Sequence, residues 1–337
     1  GLIGGRLRQG SMNTTAFSFG PLGAKGFAFL NMIQLIGWTS IMIYDAMLAL
    51  QELAPLSPMI WTIAIGALVI LWLFIGLHNT GYIQAIVSVL LLGLTLYMGV
   101  HMISQWPSDS SFMTNGNMSF IAALELSIAM PLSWLPLISD YTRESKSPFS
   151  ASLTSATIYT VTSVAMYTLG LSAAIFGGGD SIITIMMNAG LGLAGLIVII
   201  FSTVTTTFMD AYSAGVSSTT IYNGASSKGV AVIVTIVGAI AAILYPMDDI
   251  TDFLYLIGSV FTPMIAILLA DYFMNRQQVQ TLSAYLVRGL IWAIAVGLYH
   301  YMLHSESSIG ATLPAFTIAF IVTSIVGFIS KTANTLL

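Results

Sequence analysis

The chain has 337 residues, of which 57% are hydrophobic and only 7% are charged, and its mean hydropathy is +0.92. A soluble domain carries about 25% charged residues, so this composition excludes a soluble globular protein. The net charge of −4, without a basic patch, excludes a nucleic-acid-binding surface. The chain has no cysteine, which excludes disulfides, thiolate metal sites and cysteine nucleophiles.

Apolar segments long enough to cross a bilayer recur along the whole chain. A spanning helix needs about 20 predominantly apolar residues, and about ten complete segments of this kind are separated by polar breaks. We therefore predict an all-α polytopic membrane protein with a single transmembrane domain over residues 1–337, in which residues 1–9 end an earlier, truncated span. The predicted complete spans are 26–50, 58–77, 82–103, 120–141, 151–176, 192–221, 229–245, 250–273, 283–303 and 309–330.

The basic residues support this placement of the spans. If successive spans alternate in direction, all nine Lys and Arg lie on one face, and the opposite loops carry only acidic residues. Because basic residues concentrate in cytoplasmic loops, this face and the C-terminus are predicted to be cytoplasmic. The nine residues are Arg6, Arg8, Lys25, Arg143, Lys146, Lys228, Arg276, Arg288 and Lys331.

The fourth complete span contains two prolines that interrupt its hydrogen-bond ladder. Pro131 and Pro136 flank Ser133 and Trp134 in the sequence PLSWLP. Broken helices at membrane depth form the midplane binding sites of many secondary transporters. A simple proline kink is the alternative, since prolines are common in membrane helices.

In the first complete span an amide and an indole share one helix face. Gln34 and Trp38 are spaced i, i+4. Such a pair suits a flat heterocycle, because the indole stacks on the ring and the amide binds its polar edge. An interhelical hydrogen bond beside a packed tryptophan is the alternative for the same two residues.

The sixth complete span is dense in hydroxyl groups. Ser202, Thr205 and Thr206 stand at i, i+3 and i+4 and share a face. Neutral oxygens of this kind are ligands for Na⁺ beside an unwound partner helix, although Ser and Thr also serve close helix packing. Asp210, one turn beyond Thr206, can instead carry a proton, and Glu125 is a weaker candidate for that role.

Other classes of function have less support in the sequence. The four histidines form no ligand cluster, so no metal site is predicted beyond one for sodium, and no P-loop or nucleophile elbow is present. An intramembrane enzyme is an alternative that would need clustered acids or histidines near one membrane face. Of the two acidic groups, Asp140 with Glu144 is mixed with basic residues, and Asp248 with Asp249 and Asp252 lacks matching histidines. A channel remains an alternative, but a broken helix beside a hydroxyl-rich one suits an occluding site better. We predict no organic cofactor and no obligate protein partner.

Four segments of the chain resemble the nucleobase:cation symporter-1 family, most closely its bacterial hydroxymethylpyrimidine permeases. The last of them, with Gly258, Pro263 and Ala270-Asp271-Tyr272-Phe273, is similar to the family's tenth-helix signature. Asp140-Tyr141-x-Arg143 is similar to the end of its sixth helix. The four segments are NMIQLIGWT (31–39), PLSWLPLISDYTR (131–143), STVTTTFMDAYSAG (202–215) and YLIGSVFTPMIAILLADYF (255–273).

The resemblance implies a leucine-transporter-type fold, in which two inverted five-helix repeats precede two extra helices, here without the first helix and most of the second. It implies that Trp38 stacks the substrate ring and that Thr205 and Thr206 help to bind sodium. Ser202 stands where several relatives use an asparagine to contact the substrate. Trp134 takes the place of an aromatic residue that relatives carry about where Pro131 stands.

The expected function is cation-coupled import of a pyrimidine-type heterocycle by alternating access, with Na⁺ or H⁺ as the coupling ion. Hydroxymethylpyrimidine, a thiamin precursor, is the first candidate substrate, followed by cytosine, another nucleobase or an allantoin-type compound. The expected location is the bacterial cytoplasmic membrane. The expected substrate site contains Trp38 and Trp134 on the two faces of the ring, together with Gln34, Pro131, Ser133 and Ser202.

Overall fold

The computed structural model describes residues 1–104, 118–176, 187, 190, 192–276, 278–305 and 308–336, and the regular structure there is helical. A short π-helix, Ala270–Asn275, directly follows the helix Thr251–Leu269. The helices are α1 (Leu2–Leu7), α2 (Ser11–Thr14), α3 (Ala16–Leu53), α4 (Pro58–Ile75), α5 (Leu77–Ser104), α6 (Phe120–Trp134), α7 (Ile138–Thr142), α8 (Pro148–Phe176), α9 (Gly192–Ile221), α10 (Ser227–Leu244), α11 (Thr251–Leu269), α12 (Leu282–His304) and α13 (Thr312–Leu336).

The helices confirm the predicted all-α polytopic class. Within the described part of the chain, nine segments are long and apolar enough to cross a membrane, and they overlap nine of the predicted spans. One of them, Phe120–Thr142, covers both α6 and α7. The remaining predicted span, 151–176, lies in α8, a helix of 29 residues that is rich in Ser and Thr. The longest predicted outer loop falls largely on residues 105–117, which lie outside the described residues.

Several helices begin where a hydroxyl side chain satisfies an amide of the first turn, as expected for N-caps. The Ser119 hydroxyl accepts from the Ala122 amide at 3.1 Å, and the Ser226 hydroxyl accepts from the Gly229 amide at 3.2 Å. Ser57 caps α4 in the same way, and Pro58 occupies its first turn, where a missing N–H costs nothing. Local sequence therefore sets where these spans start.

The helix α3 is interrupted near its start at Gly20, which has a φ of +67°. Pro21 follows and begins the continuous part of the helix, five residues before the predicted start of the span. A Cβ at Gly20 would lie 2.7 Å from the ring of Tyr285. Both the backbone angle and the close aromatic neighbour therefore require glycine here.

Four helices, α3, α4, α9 and α10, all pack against one another. Their shared apolar cluster includes Ile43, Val69, Phe208 and Ala242, one from each helix. We call this group the four-helix unit. A second apolar cluster joins α3 to α6, α11, α12 and α13, so α3 belongs to both packing groups.

At one end of the helices, segments that carry basic residues contact one another in pairs. The Arg8 guanidinium donates to the carbonyl oxygens of Arg143 and Ser145, at 2.9 and 2.7 Å. The amide of Val279, in the connection after Arg276, donates to the Phe17 carbonyl at 3.1 Å. We call this end of the bundle the basic end.

Arg288, one of the nine basic residues predicted on this face, lies inside α12, within the predicted span 283–303, and is buried. Its Nη2 donates to Asp271 Oδ1 at 2.9 Å and its Nε donates to Asp271 Oδ2 at 3.3 Å. Asn275 donates to the same Asp271 Oδ1 at 2.9 Å and to the Thr323 carbonyl at 3.2 Å. The ion pair therefore joins the π-helix after α11 to α12, and Asn275 joins the same π-helix to α13.

Candidate functional site

The fourth predicted span is broken at Pro136, one of the two prolines expected to interrupt it, but not at Pro131. The helix α6 continues through Pro131 to Trp134, and α7 starts at Ile138. In between, the amide of Leu137 donates to the Trp134 carbonyl at 3.1 Å in a tight turn. The expectation of a break at Pro131 is wrong, because one missing N–H inside a packed helix does not end it, whereas Pro136 coincides with the turn.

Two amide side chains of α3 point at this break. Gln34 Nε2 donates to the Ser133 carbonyl at 2.7 Å. Asn31 Nδ2 donates to the Pro136 carbonyl at 3.4 Å and to Ser217 Oγ of α9 at 2.9 Å. Because the amide nitrogens face the carbonyls, Gln34 Oε1 and Asn31 Oδ1 are left as acceptors, and both are buried without a hydrogen-bond partner among the described residues.

Trp38 continues the same face of α3 one turn beyond Gln34. It is 6% exposed, its ring meets the edge of Phe253 at a centroid distance of 5.5 Å, and its Nε1 has no described partner. A Cβ on Gly37 would lie 2.5 Å from the Phe253 ring, so glycine allows this approach. The α3 stripe, defined as Asn31, Gln34 and Trp38, thus holds three buried side chains with one unpaired polar atom each.

The residues predicted on α6 take different positions. The Ser133 hydroxyl donates to the Met130 carbonyl at 2.6 Å, so Ser133 offers its carbonyl to Gln34 and keeps its hydroxyl within the helix. Trp134 packs with Leu35 and its ring lies 6.2 Å from that of Tyr159. Trp38 belongs to another apolar cluster, and no contact between the two indole rings is described.

The hydroxyl-rich segment of α9 forms a compact group. The hydroxyls of Thr205 and Thr206 both donate to the Ser202 carbonyl, each at 2.9 Å. A hydroxyl that donates to its own helix keeps its lone pairs for a cation, although such bonds also occur in helices without any ligand. Among the described residues no group of His, Asp or Glu could hold a metal ion.

The two acids predicted as proton carriers have opposite surroundings. Glu125 accepts from the Thr312 hydroxyl at 2.6 Å and from the Thr312 amide at 3.1 Å, so it caps the start of α13. Asp210 lies on α9, is 6% exposed, and makes no hydrogen bond or ion pair that the structure describes. Glu125 therefore has a structural role as a helix cap, whereas the structure describes no such role for Asp210.

Tyr141 of α7 is a contact that the sequence reasoning did not assign. Its hydroxyl donates to the Met209 carbonyl at 2.8 Å and lies 3.1 Å from Ser213 Oγ, both on α9. Beside it, Asp140 Oδ1 accepts from the Ser11 amide at 2.8 Å. The only signal in the sequence was the motif Asp140-Tyr141-x-Arg143, which marks the segment but not its partner helix.

Sequence comparison finds distant relatives among permeases. The cytosine permease of Escherichia coli K12 is 22% identical over 305 residues, which cover 88% of this chain and 72% of the permease. The cytosine permease of the O157:H7 strain has the same identity and coverage. No family model matches the chain.

Structure comparison finds two transporters that match 98% of the chain, each at 16% identity. One is a nucleobase-cation-symport-1 family transporter in a closed conformation with bromovinylhydantoin bound, with a TM-score of 0.76 over 82% of its chain. The other is a Na⁺-coupled sialic acid symporter in an outward-open state, with a TM-score of 0.68 over 79%. The chain is therefore an integral membrane protein with the leucine-transporter-type fold, and both comparisons support its resemblance to the nucleobase:cation symporters.

Proposed function

We propose that this protein is a secondary active transporter that imports a pyrimidine-type heterocycle together with a monovalent cation. The observation that carries the proposal is the α3 stripe, whose two amide nitrogens donate to the break between α6 and α7 and whose remaining polar atoms are unpaired. Buried polar atoms are nearly always hydrogen-bonded, so three unpaired ones on one helix face indicate a site that a ligand completes.

The unpaired atoms match the edge of an aminopyrimidine. Gln34 Oε1 and Asn31 Oδ1 are acceptors for an exocyclic amine or a ring N–H, and Trp38 Nε1 is a donor to a ring nitrogen or carbonyl. Trp38 and Phe253 supply the apolar ring contacts that a flat heterocycle needs. A purely apolar substrate would leave the polar atoms of the α3 stripe unpaired. A sugar-like substrate would not provide the flat ring that contacts Trp38 and Phe253.

Two pyrimidines are the first candidates for the substrate. The motif resemblance favours hydroxymethylpyrimidine, and the similarity to cytosine permeases favours cytosine. Both carry an exocyclic amine beside a ring nitrogen, which is the pattern that the α3 stripe binds. Other nucleobases and allantoin-type compounds are the alternatives within the same class.

The position of the site suits alternating access. The α3 stripe belongs to the four-helix unit, while the broken helix α6–α7 and Phe253 of α11 lie outside it. Movement between these two groups would open the site to one side and then the other. If the coupling ion is Na⁺, Thr205, Thr206 and Ser202 would hold it. The basic end, with the C-terminus, would face the cytoplasm of a bacterium.

Uptake of radiolabelled cytosine and hydroxymethylpyrimidine by cells that express the full-length protein tests the proposal. Saturable uptake of one of them, competed by the unlabelled compound and lost when ion gradients are collapsed, is the expected result. Cells that carry the empty vector are the control. Absence of saturable uptake of any pyrimidine, with the protein present in the membrane, would overturn the proposal.

A further inference from the structure

Asp210 differs from the other buried acids among the described residues. Asp271 is paired with Arg288, Glu125 is bonded to Thr312, and Asp140 accepts from the Ser11 amide. Asp210 is as buried as Glu125, yet no hydrogen bond or ion pair is described for it. Its carboxyl group therefore has no structural partner that would explain its position.

The face of α9 around Asp210 is polar, and α9 itself carries no basic residue. Thr206, Asp210, Ser213 and Ser217 follow one another at steps of four, three and four residues, so they share one face of α9. Ser213 contacts the Tyr141 hydroxyl and Ser217 accepts from Asn31, which shows that this face meets α7 and α3. We call it the α9 stripe.

The ionisable groups around Asp210 are few. Tyr141 of α7 is placed beside it, with Asp140 next in the chain, and Tyr212 follows on α9. The helices α2 and α4 carry no ionisable residue, and α5 carries Tyr82 and Tyr97 together with His78 and His101 near its two ends. The remaining neighbours, α3 over residues 26–43 and α10 over residues 229–244, are also free of ionisable side chains.

An ionised carboxylate in such a place is costly. A charged side chain at the bilayer centre costs about 2.5–3.5 kcal/mol on insertion scales, and acids inside membrane helices typically mark ion or proton pathways. A sodium ion would need several oxygen ligands around it, whereas a proton needs only one carboxyl oxygen. The isolation of the Asp210 carboxyl group therefore favours a proton.

We propose that Asp210 binds the coupling proton of the transport cycle, an inference that rests on the proposed function. In the conformation seen here the carboxyl group carries the proton as an O–H bond. When the contact of Tyr141 with Met209 and Ser213 opens at the basic end, water reaches Asp210 and accepts the proton. The carboxylate is then protonated again from the opposite side of the membrane.

Asp210→Asn tests this step, because the amide imitates the protonated acid but cannot release a proton. The wild-type protein should accumulate the transported pyrimidine when the outside is acidic. Asp210→Asn should lose this accumulation while substrate-for-substrate exchange, which needs no net proton movement, persists. Asp45→Asn, which neutralises an exposed acid of α3, is the matched control and should accumulate like the wild type.

Calorimetry of pyrimidine binding to the purified protein provides a readout besides transport. Proton uptake on binding makes the measured heat depend on the ionisation heat of the buffer, and Asp210→Asn should abolish this dependence. Accumulation driven by pH that survives in Asp210→Asn, or that is lost in Glu125→Gln instead, would overturn the inference. A wild type that binds and transports no pyrimidine would contradict the proposed function, whereas one driven only by sodium would contradict this inference alone.

Discussion

Gln34 Nε2 donates to the Ser133 carbonyl over 2.7 Å and thereby ties the middle of α3 to the last turn of α6. The bond joins a helix of the four-helix unit to the helix that breaks at Pro136. It also fixes the direction of the Gln34 amide, so that Oε1 is the atom left for a ligand. One side chain thus connects substrate contact with the packing of two helices that would have to move.

Replacing Gln34 by leucine should raise the KM for the transported pyrimidine by about tenfold. The change removes one hydrogen bond to the ligand and leaves the Ser133 carbonyl unpaired, and each loss costs about 1–2 kcal/mol. Ser40→Ala is the matched control, since the Ser40 hydroxyl only donates to the Ile36 carbonyl of its own helix, at 2.8 Å. If Gln34→Leu and the wild type have the same uptake kinetics, Gln34 does not bind the substrate.

Replacing Thr206 by valine should raise the Na⁺ concentration for half-maximal uptake by about tenfold, if Na⁺ drives transport. Valine keeps the shape of threonine but removes the oxygen, and tenfold corresponds to about 1.4 kcal/mol. Thr235→Val is the control, because Thr235 makes the same kind of bond on α10, to the Ala231 carbonyl at 2.9 Å. An equal effect of both changes would indicate lost helix packing rather than a lost cation ligand.

Replacing Arg288 by methionine should destabilise the protein by about 3–5 kcal/mol, because it leaves the buried Asp271 without its partner. Thermal unfolding in detergent measures the effect. The double change Asp271→Leu with Arg288→Met should recover much of the loss, since an apolar pair no longer buries an unpaired charge. If the double variant is no more stable than Arg288→Met, the ion pair is not the cause of the loss.

Replacing Gly20 by alanine should also lower the unfolding temperature. The residue has a φ of +67°, which costs about 1–3 kcal/mol for a residue with a Cβ, and the new Cβ would meet the Tyr285 ring. Gly26→Ala is the matched control, because a Cβ there has no neighbour within 4 Å. Alanine in a helix should leave stability equal or improve it by about 1 kcal/mol. Similar unfolding temperatures for the two variants would contradict the role assigned to Gly20.

The helices themselves could be predicted from the sequence. The predicted span 192–221 has the bounds of α9, and the predicted span 58–77 ends two residues beyond α4. This agreement arises because the length of an apolar segment and the polar residues that end it can be read from that segment alone. A helix that crosses the bilayer needs an apolar segment of sufficient length. The side chains on one helix face are equally local, so Gln34 and Trp38 could be chosen as a pair without knowledge of their neighbours.

The sequence alone could not predict which residues of different helices contact each other. Only the packing shows that α6 runs through Pro131 and breaks at Pro136, and that Arg288 is neutralised inside the protein by Asp271. The sequence named Glu125 and Asp210 together as possible proton carriers, whereas the structure joins Glu125 to Thr312 and leaves Asp210 unpaired. The physical reason is that the cost of a buried charge depends on the groups that surround it, and these come from helices distant in the chain.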